Sequence, residues 1–237
     1  MEVRPIGGLC NRLRVIGSRL VAARAAGQTL TVWWFVHPAC PALFGDLFEA
    51  PPANLIVRDG EVGPRDVETT CSVLAGADEA VWGPVILAAL RPLPAIQERI
   101  DRLVALAGPD FTAVHIRRTD HNTRYEEDSA YVDFAANHDG KVYVSADNPR
   151  SIATVKRALG DRVVYGADFR QTGIRLTDVA DAVVDIWVAG KAARFKGTFY
   201  SSFSEWIEMI RRCSGLPTGD LRKINALKFT ISDTKIE

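Results

Sequence analysis

The chain has 237 residues, of which 47% are hydrophobic, a length that holds one large domain or two small ones with ample core. Its 29 basic and 29 acidic side chains cancel, leaving no global positive field for a phosphate backbone. That balance argues against nucleic acid as the main partner.

Glu2 to Ile6 reads as a short strand, and Met1–Pro5 lacks the charged-then-apolar layout of a secretory signal. Gly7-Gly8-Leu9-Cys10-Asn11 follows as a tight turn, with Asn11 as the expected N-cap of a helix. Leu13, Ile16, Leu20 and Ala23 recur at helical spacing, and Gly27 sits where a C′ glycine belongs. Thr29 to Val36, β-branched and aromatic, is the next strand, completing a β-α-β unit. Proline and glycine punctuate the chain from Pro38 to Pro94, where a short helix near Ala42–Phe48 and a strand at Ala53–Arg58 are expected. Ala95 to Ala107 is a clearer helix, with Ile96, Ile100, Leu103, Val104 and Ala107 on one face. Gly108-Pro109-Asp110 breaks the chain and marks the expected boundary between domains 1–108 and 109–237.

The second half alternates strands (Thr112–Arg117, Lys141–Ser145, Arg162–Tyr165, Ala193–Lys196) with helices (Pro149–Leu159, Thr177–Gly190, Ser202–Cys213). This succession implies a parallel sheet covered by helices. The tail after Gly215 is expected to be a peripheral strand or disordered. No apolar run reaches the ~20 residues that span a bilayer. Cys10, Cys40, Cys71 and Cys213 lie far apart, as suits reduced thiols rather than a disulfide frame or zinc site. The expected location is cytoplasmic.

Four strand ends carry polar groups. The first is the glycine turn, whose backbone N–H groups would meet an anion at a helix N-terminus, although βα turns also use glycine for geometry alone. The second is His115-Ile116-Arg117-Arg118-Thr119-Asp120, where an apolar strand runs directly into two guanidiniums. Burying such charge unpaired costs several kcal/mol, roughly, so it implies a waiting anion or a solvated loop. The third is Ser145-Ala146-Asp147-Asn148-Pro149, a turn that a cap alone would also explain. The fourth is Thr198-Phe199-Tyr200-Ser201-Ser202-Phe203-Ser204-Glu205, a row of hydroxyls with Glu205 placed as a capping-box partner of Ser202. Asp185 lies in a helix among Val183, Val184, Ile186 and Trp187, where a carboxylate needs a partner.

These elements, in this order, resemble the fucosyltransferase-like glycosyltransferases, the superfamily of α1,2-, α1,6- and protein O-fucosyltransferases. The HxRRxD element at His115–Asp120 is the most specific mark, and the SSFS at Ser201–Ser204 supports it. The resemblance covers roughly residues 1–36 and 111–210. It implies an α/β chain of GT-B type: two Rossmann-like parallel-sheet domains facing a cleft, the N-terminal one trimmed. It also implies inverting transfer of fucose from GDP-fucose to a glycan hydroxyl, with no cofactor and no divalent metal.

Carried onto this chain, the resemblance places Gly8, Cys10, Asn11, Ser201 and Ser202 at the pyrophosphate. Arg117 holds the β-phosphate and steadies the departing GDP. His115 meets the guanine region, Asp185 accepts from guanine N1–H and its amine, and Asp147 lies near the ribose or base. The acceptor's base falls among Asp120, His121, Glu126 and Glu127, with Asp120 favoured and Glu126 second. Related α1,6-enzymes carry a glutamate shortly after the aspartate; the equivalent position here is nearer Tyr125, with Glu126 one residue displaced, which leaves that choice open, and Cys10 stands where many relatives have glycine. Another GDP-sugar donor, or a non-catalytic nucleotide-binding module of the same fold, remains as an alternative.

Overall fold

A computed structural model describes residues 1–69, 79–119, 126–172 and 175–221. Two four-stranded sheets, parallel throughout, organise it. In the first, β1 (Glu2–Pro5) lies between β2 (Leu30–Trp34) and β4 (Glu68–Thr69), with β3 (Leu55–Asp59) outside β2. In the second, β5 (Thr112–Ile116) lies between β10 (Arg194–Lys196) and β6 (Val142–Ala146), with β7 (Val163–Val164) outside β6. Every residue of β5 and of β6 is buried, as befits strands covered on both faces. An antiparallel hairpin, β8 (Phe169–Thr172) and β9 (Arg175–Thr177), leads into α6. The α/β architecture with parallel sheets is therefore as the sequence indicates.

The helices are α1 (Leu9–Ala25), α2 (Glu79–Ala89), α3 (Pro94–Ala107), α4 (Asp128–Ala136), α5 (Pro149–Leu159), α6 (Val179–Gly190) and α7 (Ser202–Cys213). α3 and α6 pack together beside the second sheet, whereas α7 packs on α1, α2 and α6. One continuous apolar core consequently runs from Leu13 and Trp34 through Trp206 to Trp187 and Phe195. A second cluster, including Val114, Tyr131, Val144 and Ile152, fills the other face of the second sheet.

Local chemistry explains most boundaries. α1 ends in a Schellman motif: Gly27 takes φ +65°, Gly27 N–H reaches Arg24 O and Gln28 N–H reaches Ala23 O. α5 starts with Pro149 at N1 behind Asn148, whose side chain accepts from Ser151 N–H at 3.0 Å. Three expectations need correction. α1 begins at Leu9 with Gly8 as N-cap, not at Asn11, because Gly7 at φ +90° turns the chain early. The helix expected near Ala42–Phe48 is one 3-10 turn, Phe44–Asp46, tied to β3 by Asp59. Glu205 does not cap α7; Ser201 is the N-cap, and Glu205 pairs across to Arg14 at 2.9 Å. The tail keeps a strand-like contact, Asp220 bridging onto Lys196.

Candidate functional site

Open parallel sheets bind ligands at the carboxyl ends of their strands, where the strand order reverses. In the second sheet that point lies between β5 and β10, the two strands that end in His115–Arg117 and Thr198. A pocket opens there. His115, Arg117, Ser145, Asp147 and Asp185 line it, together with Leu9 and Pro38 from the first half and Phe203 from α7.

Two helix N-termini converge on this pocket, α1 at Leu9 and α7 at Phe203. The Trp206 indole donates to Cys10 O at 2.9 Å, and the Arg14–Glu205 pair locks the helices further. Intrahelical bonding starts with Arg12 N–H to Gly8 O and Glu205 N–H to Ser201 O. The N–H groups of residues 9–11 and 202–204 thus have no acceptor within their helices. No acidic residue stands in the first turn of α1 to neutralise its positive pole. The Ser201 hydroxyl, at the N-cap of α7, is buried and has no hydrogen-bond partner among the described residues.

Thr198 joins the two strands across the reversal. Its hydroxyl donates to His115 O at 2.7 Å and accepts from Arg117 N–H at 3.1 Å and Tyr131 O–H at 2.9 Å. Burial pushes the Tyr131 phenol up to about 12, so it stays a donor at neutral pH. Ser204 Oγ accepts from Thr198 N–H at 2.9 Å and lies 2.8 Å from His115 Nδ1. With the serine proton given to Nδ1, the neutral ring carries its own proton on Nε2. The imidazole stacks on Phe203, centroids 4.3 Å apart.

Asp147 holds the turn after Arg117. It accepts from Arg118 N–H at 2.8 Å, and from Thr119 N–H at 3.1 Å and hydroxyl at 2.8 Å. Burial pushes its carboxyl up, but the donors from Thr119, Arg118 and Asn148 outweigh this and hold it below the ordinary value. Arg118 points to structure: its guanidinium meets Asp128 at 2.7 Å and Glu126 O at 2.8 Å.

Asp185 reaches the pocket from α6 and receives Tyr143 O–H at 2.5 Å and Ser145 O–H at 2.9 Å, one on each oxygen. Burial raises its carboxyl to about 7, partly opposed by those two hydroxyls. Each carboxylate oxygen accepts more than one hydrogen bond, so ligand donors can still be met.

The structure therefore brings His115, Arg117, Asp147 and Asp185 together, with Gly8, Cys10 and Asn11 at the first turn of α1 and Ser201 and Ser202 at that of α7. Glu126 is placed differently: its side chain is 6% exposed and pairs with Lys196 at 2.7 Å, and it is not among the pocket-lining residues. The first base candidate, Asp120, and also His121 lie outside the described residues. Asp178, the N-cap of α6, and Thr177 line the pocket without having been singled out; an Asp three residues before Asp181 was the available signal. Among the described residues no three His, Cys, Asp or Glu side chains converge as a metal site, and no helix is long and apolar enough to cross a membrane.

No protein-family model matches the sequence, and no curated protein is similar to it by sequence. Solved structures do match in fold. A NodZ alpha-1,6-fucosyltransferase soaked with GDP-fucose superposes with a TM-score of 0.65 at 17% identity, covering 88% of this chain and 91% of that one. NodZ from Bradyrhizobium gives 0.61 at 16% identity, over 87% and 91% of the two chains. POFUT1 in complex with GDP gives 0.62 at 13% identity, over 92% and 97%. The chain shares its fold with these fucosyltransferase structures.

Proposed function

We propose that this cleft binds GDP-fucose and transfers fucose, with inversion, to a glycan hydroxyl. The observation that carries the reading is the polarity of the pocket. The N-termini of α1 and α7 and Arg117 line it together with the carboxylates of Asp147, Asp178 and Asp185, and no acidic residue stands in the first turn of α1. A nucleoside diphosphate answers both sets, anionic at one end and rich in N–H and O–H donors at the other. The fold likeness to proteins solved with GDP or GDP-fucose supports the guanine choice.

In this reading Arg117, the N–H groups of the two first turns and the Ser201 hydroxyl surround the pyrophosphate. Displacing GDP concentrates negative charge on the β-phosphate, and fixed donors there lower the barrier without a divalent ion. Arg117 grips two oxygens at once. Asp185 accepts guanine N1–H and the exocyclic amine, a pair of donors adenine does not offer. Asp147, engaged with the Arg118–Thr119 turn, borders the ribose. Residues 1–108 form the acceptor side and 109–237 the donor side. Asp120 is the proposed base.

The test is a thermal shift with GDP, ADP and UDP without Mg²⁺, followed by GDP-, UDP- and ADP-sugars with products read by mass. GDP should stabilise most, and Arg117→Ala should stop transfer while leaving a folded protein. Equal shifts with all three nucleotides would remove the guanine assignment. A second reading, a nucleotide-binding module without turnover, is favoured by one observation: the Glu126 carboxylate is engaged by Lys196. GDP binding with no hydrolysis or transfer from any sugar in the panel would establish it.

A further inference from the structure

Arg12 is fully buried in the first turns of α1, yet it pairs with no carboxylate among the described residues. Its Nε donates to Gly7 O at 2.9 Å and its Nη1 to Phe35 O at 2.7 Å, while Nη2 has no partner among the described residues. The guanidinium lies 4.9 Å from the Trp34 ring centroid and 5.0 Å from that of Phe35. A second guanidinium, Arg4, is 4.7 Å from the same Phe35 ring. It pairs with Glu68 at 3.4 Å, and its Nε and Nη1 have no partners among the described residues. Of these two buried cations only Arg4 meets a carboxylate among the described residues, and that carboxylate is exposed. Burial lowers the Arg12 pKa, with Cys40 opposing.

The two carbonyls that Arg12 binds need only two N–H donors, which a neutral glutamine amide supplies. The charge is thus surplus to the strap, and burying surplus charge costs several kcal/mol, roughly, unless an anion answers it. The strapped segments identify where that anion sits. Gly7 precedes Leu9, and Phe35 precedes Pro38 and Ala39, and these three line the pocket. The guanidinium stands behind both stretches, beside the positive pole of α1.

We infer that Arg12 is a positioning residue for a diphosphate in the cleft, holding the glycine turn and the Phe35–Ala39 stretch in place while its unneutralised charge attracts the anion through that wall. This rests on the nucleotide reading above and adds to it a residue that touches neither base nor sugar.

Arg12→Gln and Arg12→Lys separate strap from charge. Binding of guanosine, GMP and GDP, and of adenosine, AMP and ADP, is measured by calorimetry on the wild type and both variants, with melting temperatures alongside. Arg12→Gln should leave guanosine affinity within about twofold and weaken GDP on the order of tenfold, the effect of one charge on another across roughly 10 Å at an effective dielectric constant of about 20. Arg12→Lys should melt earlier, having lost the fork, yet keep the gain in affinity from guanosine to GDP. If Arg12→Gln does not fold, the lysine variant decides: loss of that gain in a folded Arg12→Lys overturns the inference. Equal weakening of nucleoside and diphosphate in both variants, or no weakening, reduces Arg12 to a structural strap and also overturns it. Adenine ligands binding as well as guanine ligands, with the phosphate gain still dependent on Arg12, would defeat the guanine reading and leave this one standing.

Discussion

Replacing Thr198 with valine keeps the side chain's shape and removes one hydroxyl. That hydroxyl serves three groups: His115 O, Tyr131 O–H and Arg117 N–H. The first two bonds are buried and the third partly so, and each buried group left unmet costs about 1–3 kcal/mol. Taken at the lower end of that range the three sum to roughly 3 kcal/mol, a large share of the ~5–15 kcal/mol typical of a domain but not all of it. For a chain of this size each kcal/mol shifts the melting temperature by about 2–4 °C, so the variant should melt roughly 6–12 °C lower. Because Arg117 then loses the tie between its backbone and β10, GDP affinity should also fall, by about tenfold or some 1.4 kcal/mol. Thermal melts and titration calorimetry on the wild type, Thr198→Val and Thr198→Ser measure both effects, and the serine variant should recover most of each. A valine variant that melts within 2 °C of the wild type, roughly, and binds GDP equally well would refute the idea that this hydroxyl organises the site.

Asp185→Asn tests the buried carboxylate. Its folded value near 7 is raised above the ordinary one, so the wild type loses stability as pH climbs from about 4 through 7. The variant should melt higher than the wild type at pH 8 and about equally near pH 4, while binding GDP more weakly; a difference independent of pH would count against the assignment. Lys196→Met leaves the Glu126 carboxylate buried without its ammonium and should cost about 3–5 kcal/mol, most of it recovered on adding Glu126→Gln. No loss in urea denaturation of the single variant would show that the pair is dispensable. Gly190→Ala puts a Cβ 2.6 Å from Ile210 where α6 crosses α7, so a loss of about 1–3 kcal/mol is expected from the same denaturation assay.

Elements that carry their own start and stop signals were legible from the chain alone. Pro149 behind Asn148 and the glycine at 27 place helix ends through backbone dihedrals that neighbours a few residues away control. α2 escaped because Gly83 and Pro84 read as breakers, yet Gly83 is what lets the helix lie against Cys213, where a Cβ would come within 1.9 Å of Sγ. α4 escaped because its short span buries only Tyr131 and Ala135, too few positions to show a period.

The same division runs through the site. Polar residues at strand ends follow from alternation and chain order, so His115, Arg117, Asp147 and the Ser201–Ser202 turn could be named without coordinates. Their duties could not, because hydrogen-bond partners are chosen by packing between distant segments. Asp185 is met by Tyr143 and Ser145, 42 and 40 residues away, and Trp206 by Cys10 across 196 residues. Glu126 was a candidate base by position, and it became an ion-pair partner because β10 brings Lys196 beneath it. Periodicity reports which face of an element is buried, a local property. Which group waits on the other side depends on how the sheets and α7 close on each other, and only the folded chain supplies that.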